Sequence, residues 1–239
     1  GSGCVTRKLS KSHPVVACDI QEYSKVIAEA LLKRYILDDN AIDCFFKDIN
    51  TKTAEALLKA FSPLIELENN AINNKDLEVL TCILEYGSVE VFRIEHNVSY
   101  LSDYLRIVSN HLDDEKLNGV KSLISRYYGG VYFSYKQAVE IDIILEGIHK
   151  FVSEDNRSLF LAALLSTASD IVDTVGKHFA QPIKARDSKG NIKMTVYNKA
   201  VKDKTIDVYM LYREWLIKYK NLTKNDFPHI TMTGDFEQC

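Results

Sequence analysis

Apolar residues recur every three or four positions along most of the chain, which predicts a mainly helical protein. The stretches with this spacing are 21–35, 54–61, 101–108, 117–124, 141–148, 161–171 and 208–219. Ser134 and Gln137 form a capping-box pattern before the helix at 141–148. We expect the helix at 54–61 to end near Pro63, because proline interrupts helix hydrogen bonding, and the helix at 161–171 to end by Gly176.

Two short apolar runs interrupt this helical pattern and predict buried strands. The first covers residues 15–18 and ends at Asp19, and the second covers Ile230–Thr233 and is followed by Gly234. Residues 4–11 predict a short helix that follows an N-terminal glycine turn. The order of glycine turn, helix, strand, acid and helix is that of half a nucleotide-binding fold. The predicted fold class is therefore α/β, a partial Rossmann-like fold with a large, mainly helical insertion.

The segment at 183–197 has partly alternating arms around Asp187 and Gly190, which predicts a β-hairpin with Gly190 at positive φ. This segment also concentrates positive charge. Seven basic and two acidic residues lie between Pro182 and Lys204, a formal charge of +5, whereas the whole chain carries −3. Segregated charge of this kind indicates a charged partner, and the alternative is a solvated, lysine-rich loop.

Length and composition exclude several classes of protein. The chain has 239 residues, of which 46% are apolar, enough for a buried core. It lacks both an apolar run long enough to span a membrane and the pattern of a signal peptide. Its five cysteines include no closely spaced pair, which argues against a disulfide scaffold or a zinc knuckle. We therefore expect a cytoplasmic protein.

Candidate ligand-binding residues collect where the predicted strands end, which is where open α/β sheets bind ligands. The turn Gly1-Ser2-Gly3 would let the backbone approach a ligand, and the Asp19 carboxylate could accept both ribose hydroxyls. Asp235 could accept a hydrogen bond from the amino group of an adenine ring. The apolar faces for that ring would come from Ile20 and Phe236. The alternatives are that the glycines are a cloning remnant and that both acids are helix caps.

Four blocks of sequence resemble one known family. The segment GSGCVTRKLSKSHPVVACDIQEYSKVIAEAL resembles the start of adenine-specific DNA methyltransferases of the Dam-like group, which open with a Phe-x-Gly-x-Gly cofactor turn. ITMTGDFEQ is similar to the third cofactor strand of that family. YYGGVYFSYKQAVEIDIILEGI and TVGKHFAQPIK are similar to segments of some members. Residues 36–125 lie outside the resemblance.

This resemblance implies S-adenosylmethionine as the cofactor. Gly1, Ser2 and Gly3 would pass along its methionine moiety. Asp19 would bind the ribose hydroxyls, with Ile20 against the adenine. Asp235 would face the adenine amino group beside Phe236. The implied reaction transfers a methyl group to the exocyclic amine of adenine in DNA, after the base has been flipped out of the duplex.

The sequence departs from this family in its catalytic motif. The Asp/Asn-Pro-Pro-Tyr tetrapeptide does not occur, and the family order would place it shortly after Asp235. We therefore expect an internal part of a methyltransferase that is inactive by itself, and we assign no catalytic residue. The expected domains are 1–35 and 230–239, which form part of the cofactor-binding domain, and an inserted DNA-recognition region at 36–229.

Within the insertion, four basic residues are expected to contact the phosphates of double-stranded DNA, with the hairpin tip offered to a groove. They are Lys184, Arg186, Lys189 and Lys193. The aromatic residues Tyr127, Tyr128, Tyr132 and Phe133 either stack on a base or belong to the core. His178 is expected to be structural, and we expect neither a metal nor a membrane as a partner. Two other functions stay open: a methyltransferase acting on RNA or protein, and a non-enzymatic helical interaction module.

Overall fold

A computed structural model describes residues 3–95, 99–117, 119–174, 181–222 and 226–235. These residues form a mixed α/β structure that is mainly helical, with one small parallel sheet. Its strands are β1 (Val16–Asp19) and β2 (Ile230–Thr233). The helices are α1 (Cys4–Leu9), α2 (Glu22–Leu32), α3 (Asp39–Asp48), α4 (Lys52–Asn73), α5 (Leu77–Tyr86), α6 (Val89–Glu95), α7 (Ser102–Leu112), α8 (Leu123–Tyr127), α9 (Tyr135–Phe151), α10 (Glu154–Ile171), α11 (Met194–Lys204) and α12 (Val208–Lys220).

The chain divides into two compact units. Unit 1 consists of residues 1–48, 147–167 and 210–239, and unit 2 consists of residues 49–146 and 168–209. Unit 1 therefore includes residues 36–48, 147–167 and 210–229, which we expected to belong to the insertion. Neither unit contains a described helix long and apolar enough to cross a membrane.

Strands occur at both predicted places and are direct neighbours in unit 1, but the prediction that they are buried is wrong, since Val16 is 55% and Ile230 is 56% exposed. They run parallel, with Val16 opposite Ile230 and Asp19 opposite Thr233. The Gly234 N–H continues this pairing by donating to the Asp19 carbonyl oxygen at 3.0 Å. Helix α2 packs against both strands. The parallel pairing therefore places the carboxyl ends of two strands side by side, although they are more than two hundred residues apart in sequence.

Aromatic side chains hold the helices of unit 1 together. The Phe45 ring of α3 lies 5.0 Å from the Phe160 ring of α10 and 6.2 Å from the Tyr212 ring of α12, measured between centroids. The Tyr212 hydroxyl donates to the Phe160 carbonyl oxygen at 3.2 Å. All three side chains are buried. Their edge-on and tilted arrangements are favourable for aromatic packing.

A buried lysine joins distant segments of unit 2. The Lys204 Nζ donates to Glu68 Oε1 at 2.9 Å, to the Gly130 carbonyl at 2.7 Å and to the Phe133 carbonyl at 3.1 Å. The other Glu68 oxygen accepts from the Tyr135 N–H, at the start of α9, at 2.8 Å. Both charged side chains are at most 2% exposed. Because all three ammonium protons have acceptors, this buried charge is fully satisfied.

The predicted capping box at the start of α9 is confirmed. The Ser134 N–H donates to Gln137 Oε1 at 2.9 Å, and the Gln137 N–H donates to Ser134 Oγ at 3.1 Å. This reciprocal pair satisfies two N–H groups that lack partners within the helix. Gln137 also donates through Nε2 to the Asp203 carbonyl at 2.8 Å, which ties α9 to the end of α11.

The prediction that a helix ends near Pro63 is wrong, since α4 continues through that residue to Asn73. Pro63 has no N–H to donate to the carbonyl of Lys59, four residues earlier. The Ser62 hydroxyl donates to that carbonyl instead, at 3.0 Å. The acceptor that proline leaves unpaired is therefore satisfied within the same helical turn.

Two other predictions of secondary structure are wrong. The stretch at 117–124 is not one helix, because a 3₁₀ turn ends at Leu117, Gly119 has a φ of 78° and α8 begins only at Leu123. The second arm of the hairpin at 183–197 is the start of α11. Burial of Tyr197 and Ala200 on that helix outweighs the alternating pattern. The expected helix stop at Gly176 lies outside the described residues.

We expect Lys204→Met to lower the free energy of unfolding by about 3–5 kcal/mol, because Glu68 would keep a buried charge without its partner. Chemical denaturation measures this change. Lys202→Met, on an exposed position of the same helix, is the matched control and should change stability by about 0.5 kcal/mol or less. A Lys204→Met variant as stable as this control would contradict the role given to the buried pair.

Candidate functional site

A cleft of about 410 Å³ lies along β1 in unit 1. It is lined by Gly3, by the first turn of α1, by all four residues of β1 and by three residues of α2. Gly3 and Asp19, two of the predicted cofactor-binding residues, thus lie in one cleft. Its volume falls in the range of small-molecule binding sites.

Asp19 is an exposed carboxylate at the carboxyl end of β1. Its Oδ1 accepts a hydrogen bond from the Gln21 N–H at 3.0 Å. This bond chiefly, with the Ser24 hydroxyl adding to it, holds the pKa of Asp19 below its ordinary value. The side chain is therefore ionised at neutral pH and can accept hydrogen bonds. The bond to Gln21 also stabilises the chain just before α2. Asp19 can therefore act as a cap and still bind a ligand in the cleft.

Gly3 takes a backbone conformation that only glycine adopts easily, with a φ of 69°. A Cβ atom at this position would lie 2.4 Å from Leu31 Cδ1 on α2. The positive φ therefore favours glycine at this position, where α1 packs on α2.

The other predicted cofactor-binding residues lie outside the lining of this cleft or outside the described residues. Asp235 directly follows Gly234, whose N–H bonds to Asp19, but its side chain is not part of the lining. Ile20 is 72% exposed and is also not part of it. Gly1, Ser2 and Phe236 lie outside the described residues.

Cys18 is disulfide-bonded, and its sulfur lies 3.4 Å from the Gly234 carbonyl oxygen. Cys4, Cys44 and Cys82 are not disulfide-bonded. The cysteine spacing in the sequence contained no signal for a disulfide at Cys18.

In unit 2, the segment that carries the predicted phosphate contacts forms a tight turn, which we call the basic turn (residues 184–193). Arg186 and Ile192 form a single antiparallel bridge across it. The Asp187 carboxylate accepts from the N–H groups of Lys189 at 2.8 Å and Asn191 at 2.9 Å. Gly190 has the predicted positive φ, 85°. The predicted turn is therefore confirmed, without the long arms of a hairpin.

The four predicted phosphate-binding side chains differ in their surroundings. Lys184 and Lys189 are exposed, and the Lys193 Nζ donates to the Lys184 carbonyl at 3.1 Å. Arg186 is paired with acids of α5: its Nη2 lies 2.6 Å from Glu78 Oε2, and its Nε lies 3.4 Å from Glu85 Oε2. Lys184 and Lys189 thus present charge at the surface and Lys193 is half-buried beside them, while the Arg186 guanidinium is already bound to carboxylates.

The aromatic residues at 127–133 divide between core and surface. Phe133 is buried, whereas Tyr127 is 43% exposed and the Tyr128 and Tyr132 rings meet edge to face at 5.5 Å. A Cβ atom on Gly130 would lie 2.7 Å from the buried Tyr135 ring. The glycine pair is therefore explained by core packing, which also accounts for Phe133.

Two buried carboxylates of α9 have raised pKa values. Burial raises the pKa of Asp142 to about 6 although its oxygens accept from the N–H groups of Ile124 and Ser125 at 3.0 and 2.8 Å. These two hydrogen bonds make Asp142 a cap for the start of α8. Burial also raises the pKa of Glu140 to about 7, opposed by Lys136, whose Nζ lies 3.5 Å away. Neither carboxylate lines the cleft in unit 1.

No group of three or more His, Cys, Asp or Glu side chains placed to hold a metal ion occurs in the described part of the chain. His178 lies outside it. The sequence interpretation missed Ser24 and Lys25, which line the cleft. Their position one turn into the helix after Asp19 was an available signal. The pairing of Arg186 with acids about one hundred positions earlier had no such signal.

Comparisons with models of protein families, with curated proteins and with solved structures give no match for this chain.

We expect the free energy of unfolding to fall as the pH rises from about 4.5 to about 7, in part because of Glu140. Its folded pKa is raised above the ordinary value of 4.5, so the folded state keeps a proton that the unfolded state has lost in this range. Glu140→Gln should reduce that fall, as measured by denaturation at several pH values. Glu66→Gln, which removes an exposed carboxylate, should keep it. An unchanged pH dependence in Glu140→Gln would contradict this account.

Proposed function

We propose that this chain is the cofactor-binding and DNA-recognition part of a methyltransferase that acts on the exocyclic amine of adenine in DNA. The observation that carries the proposal is the cleft of unit 1, where Gly3 and the ionised Asp19 meet at the end of a parallel strand. The sequence resemblance to adenine-specific DNA methyltransferases names those same two positions.

The residues of this cleft fit S-adenosylmethionine in their chemistry. The Asp19 carboxylate offers acceptors for ribose hydroxyls. Lys25 supplies a cation for the carboxylate of the methionine moiety, and the Thr6 and Ser24 hydroxyls add polar contacts. When bound, this cofactor supplies a methyl group on a positively charged sulfur.

The strand arrangement also supports a Rossmann-like fold. In the doubly wound strand order 3-2-1, the second and third strands are neighbours and run parallel. The resemblance makes β1 the strand that ends in the ribose-binding acid and β2 the third cofactor strand. Their parallel pairing agrees with that order.

The basic turn of unit 2 supports a nucleic-acid partner. Its lysines Lys184, Lys189 and Lys193 lie within ten residues, around a turn that Asp187 stabilises. Lysine side chains at a surface turn are suited to phosphate contacts, which position a protein on a duplex.

Asp19→Asn should weaken the binding of S-adenosylmethionine about tenfold or more, measured by isothermal titration calorimetry. Asparagine keeps an acceptor for the Gln21 N–H, so folding should be preserved, but it replaces the second carboxylate oxygen with a donor.

Asp38→Asn is the matched control, because Asp38 is another capping aspartate of unit 1 that accepts from the Ala41 N–H. It lies outside the cleft lining and should leave cofactor affinity unchanged. If the unaltered chain does not bind S-adenosylmethionine, or if both variants bind as it does, the cofactor assignment is wrong.

Replacing Lys184, Lys189 and Lys193 together with glutamine should weaken the binding of duplex DNA. The slope of log K against log salt should fall by about 2–3, since each phosphate contact contributes about 0.9. Fluorescence anisotropy over a salt series measures both effects. A control triple variant at the exposed Lys47, Lys52 and Lys59 loses the same charge elsewhere and should keep the original slope. Tighter binding of single-stranded RNA than of duplex DNA would favour the RNA alternative.

A further inference from the structure

The basic turn keeps its shape through its own hydrogen bonds. Besides the two backbone N–H groups, the Asp187 carboxylate accepts from Asn191 Nδ2 at 3.1 Å. The Gly190 N–H donates to the Asp187 carbonyl at 3.1 Å, and the Asp187 N–H donates to the Asn191 carbonyl at 2.9 Å. The polar groups of the turn thus find partners within it, so the turn does not depend on a ligand for its conformation.

Arg186 joins this turn to helix α5. Its Nη2 and Nε face Glu78 and Glu85, while its Nη1 donates to the Gly190 carbonyl at 3.1 Å, next to the tip of the turn. Glu78 and Glu85 are seven positions apart on α5, which places them on one face of the helix, two turns apart. One side chain therefore spans two carboxylates and the tip of the turn.

The pairing also changes what Arg186 offers to a partner. A phosphate would have to displace a carboxylate at 2.6 Å from a guanidinium whose side chain is only 32% exposed. Lys184 and Lys189 are exposed, and Lys193 is half-buried, with its Nζ on the Lys184 carbonyl oxygen rather than in a carboxylate ion pair. The local geometry therefore separates the four basic residues into three that offer charge and one that holds the turn in place.

We infer that the basic turn is a preformed contact for double-stranded nucleic acid, in which Arg186 is a positioning residue held by Glu78 and Glu85. This inference rests on the proposed function of the same turn. A preformed turn loses little conformational entropy on binding and suits a partner of fixed shape, such as a duplex. Lys184, Lys189 and Lys193 make the phosphate contacts, and Arg186 holds the turn that carries them against α5.

Removing the charges of Glu78 and Glu85 gives a test in which the two explanations predict opposite changes in the affinity for duplex DNA. Glu78→Gln combined with Glu85→Gln removes two negative charges beside the turn. If charge alone mattered, duplex DNA would bind more tightly. If the acids position the turn, duplex affinity falls about fivefold, and the preference for duplex over single-stranded DNA falls with it.

The salt dependence provides a second readout. Arg186→Gln should weaken duplex binding by a similar factor yet leave the salt slope unchanged, because no phosphate contact is lost. Combining it with the double glutamate variant should add little, since both changes break one network. Thermal unfolding of each variant checks that the fold is intact.

The outcomes separate this inference from the proposed function. A fall of about 0.9 in the salt slope of Arg186→Gln, or tighter duplex binding by the double glutamate variant, would show that Arg186 acts as a phosphate contact or as charge alone. The proposed DNA binding would still stand in that case. Absence of duplex binding by the unaltered chain would overturn both.

Discussion

Unit 2 depends on one buried ammonium group, that of Lys204. It links the end of α11 to α4 through Glu68 and to the loop before α9 through two carbonyl oxygens. A buried charge tolerates little displacement, because each lost hydrogen bond leaves a group that water cannot reach. The pair therefore fixes where α11 ends, and the basic turn directly precedes α11. In this way a core interaction constrains a candidate surface for a charged partner.

Unit 1 depends on a different constraint, the parallel pairing of two short strands. Four residues of each strand bring Val16–Asp19 and Ile230–Thr233 together and place Asp19 beside Gly234. Two strands alone are marginally stable in water, and helix α2 supplies the packing that they need. Gly3, the start of α1 and the nearby turn of α2 line the cleft along this strand.

Local rules predicted much of the fold. The extents of β2 and α12 and the capping box of α9 follow from periodicity and from short-range hydrogen bonding. The errors arose where a neighbour distant in sequence outweighed a local pattern. Burial of Tyr197 turned a predicted strand arm into α11. The same holds for the candidate sites. The order of glycine turn, strand and acid along the chain predicted that Gly3 and Asp19 lie close together. No local pattern predicted that Arg186 pairs with Glu78 and Glu85.

The continuity of α4 has a consequence that reaches far along the chain. A helix broken at Pro63 would carry Glu68 on a separate segment, free to point elsewhere. The Ser62 hydroxyl donates a hydrogen bond to the Lys59 carbonyl, which Pro63 cannot reach with an N–H, and α4 continues without a break. Ser62 thereby helps to hold the buried Glu68 carboxylate in position, although the two side chains are not in contact through any hydrogen bond described above. Mutational surveys that rank positions by their distance from a binding surface would overlook it.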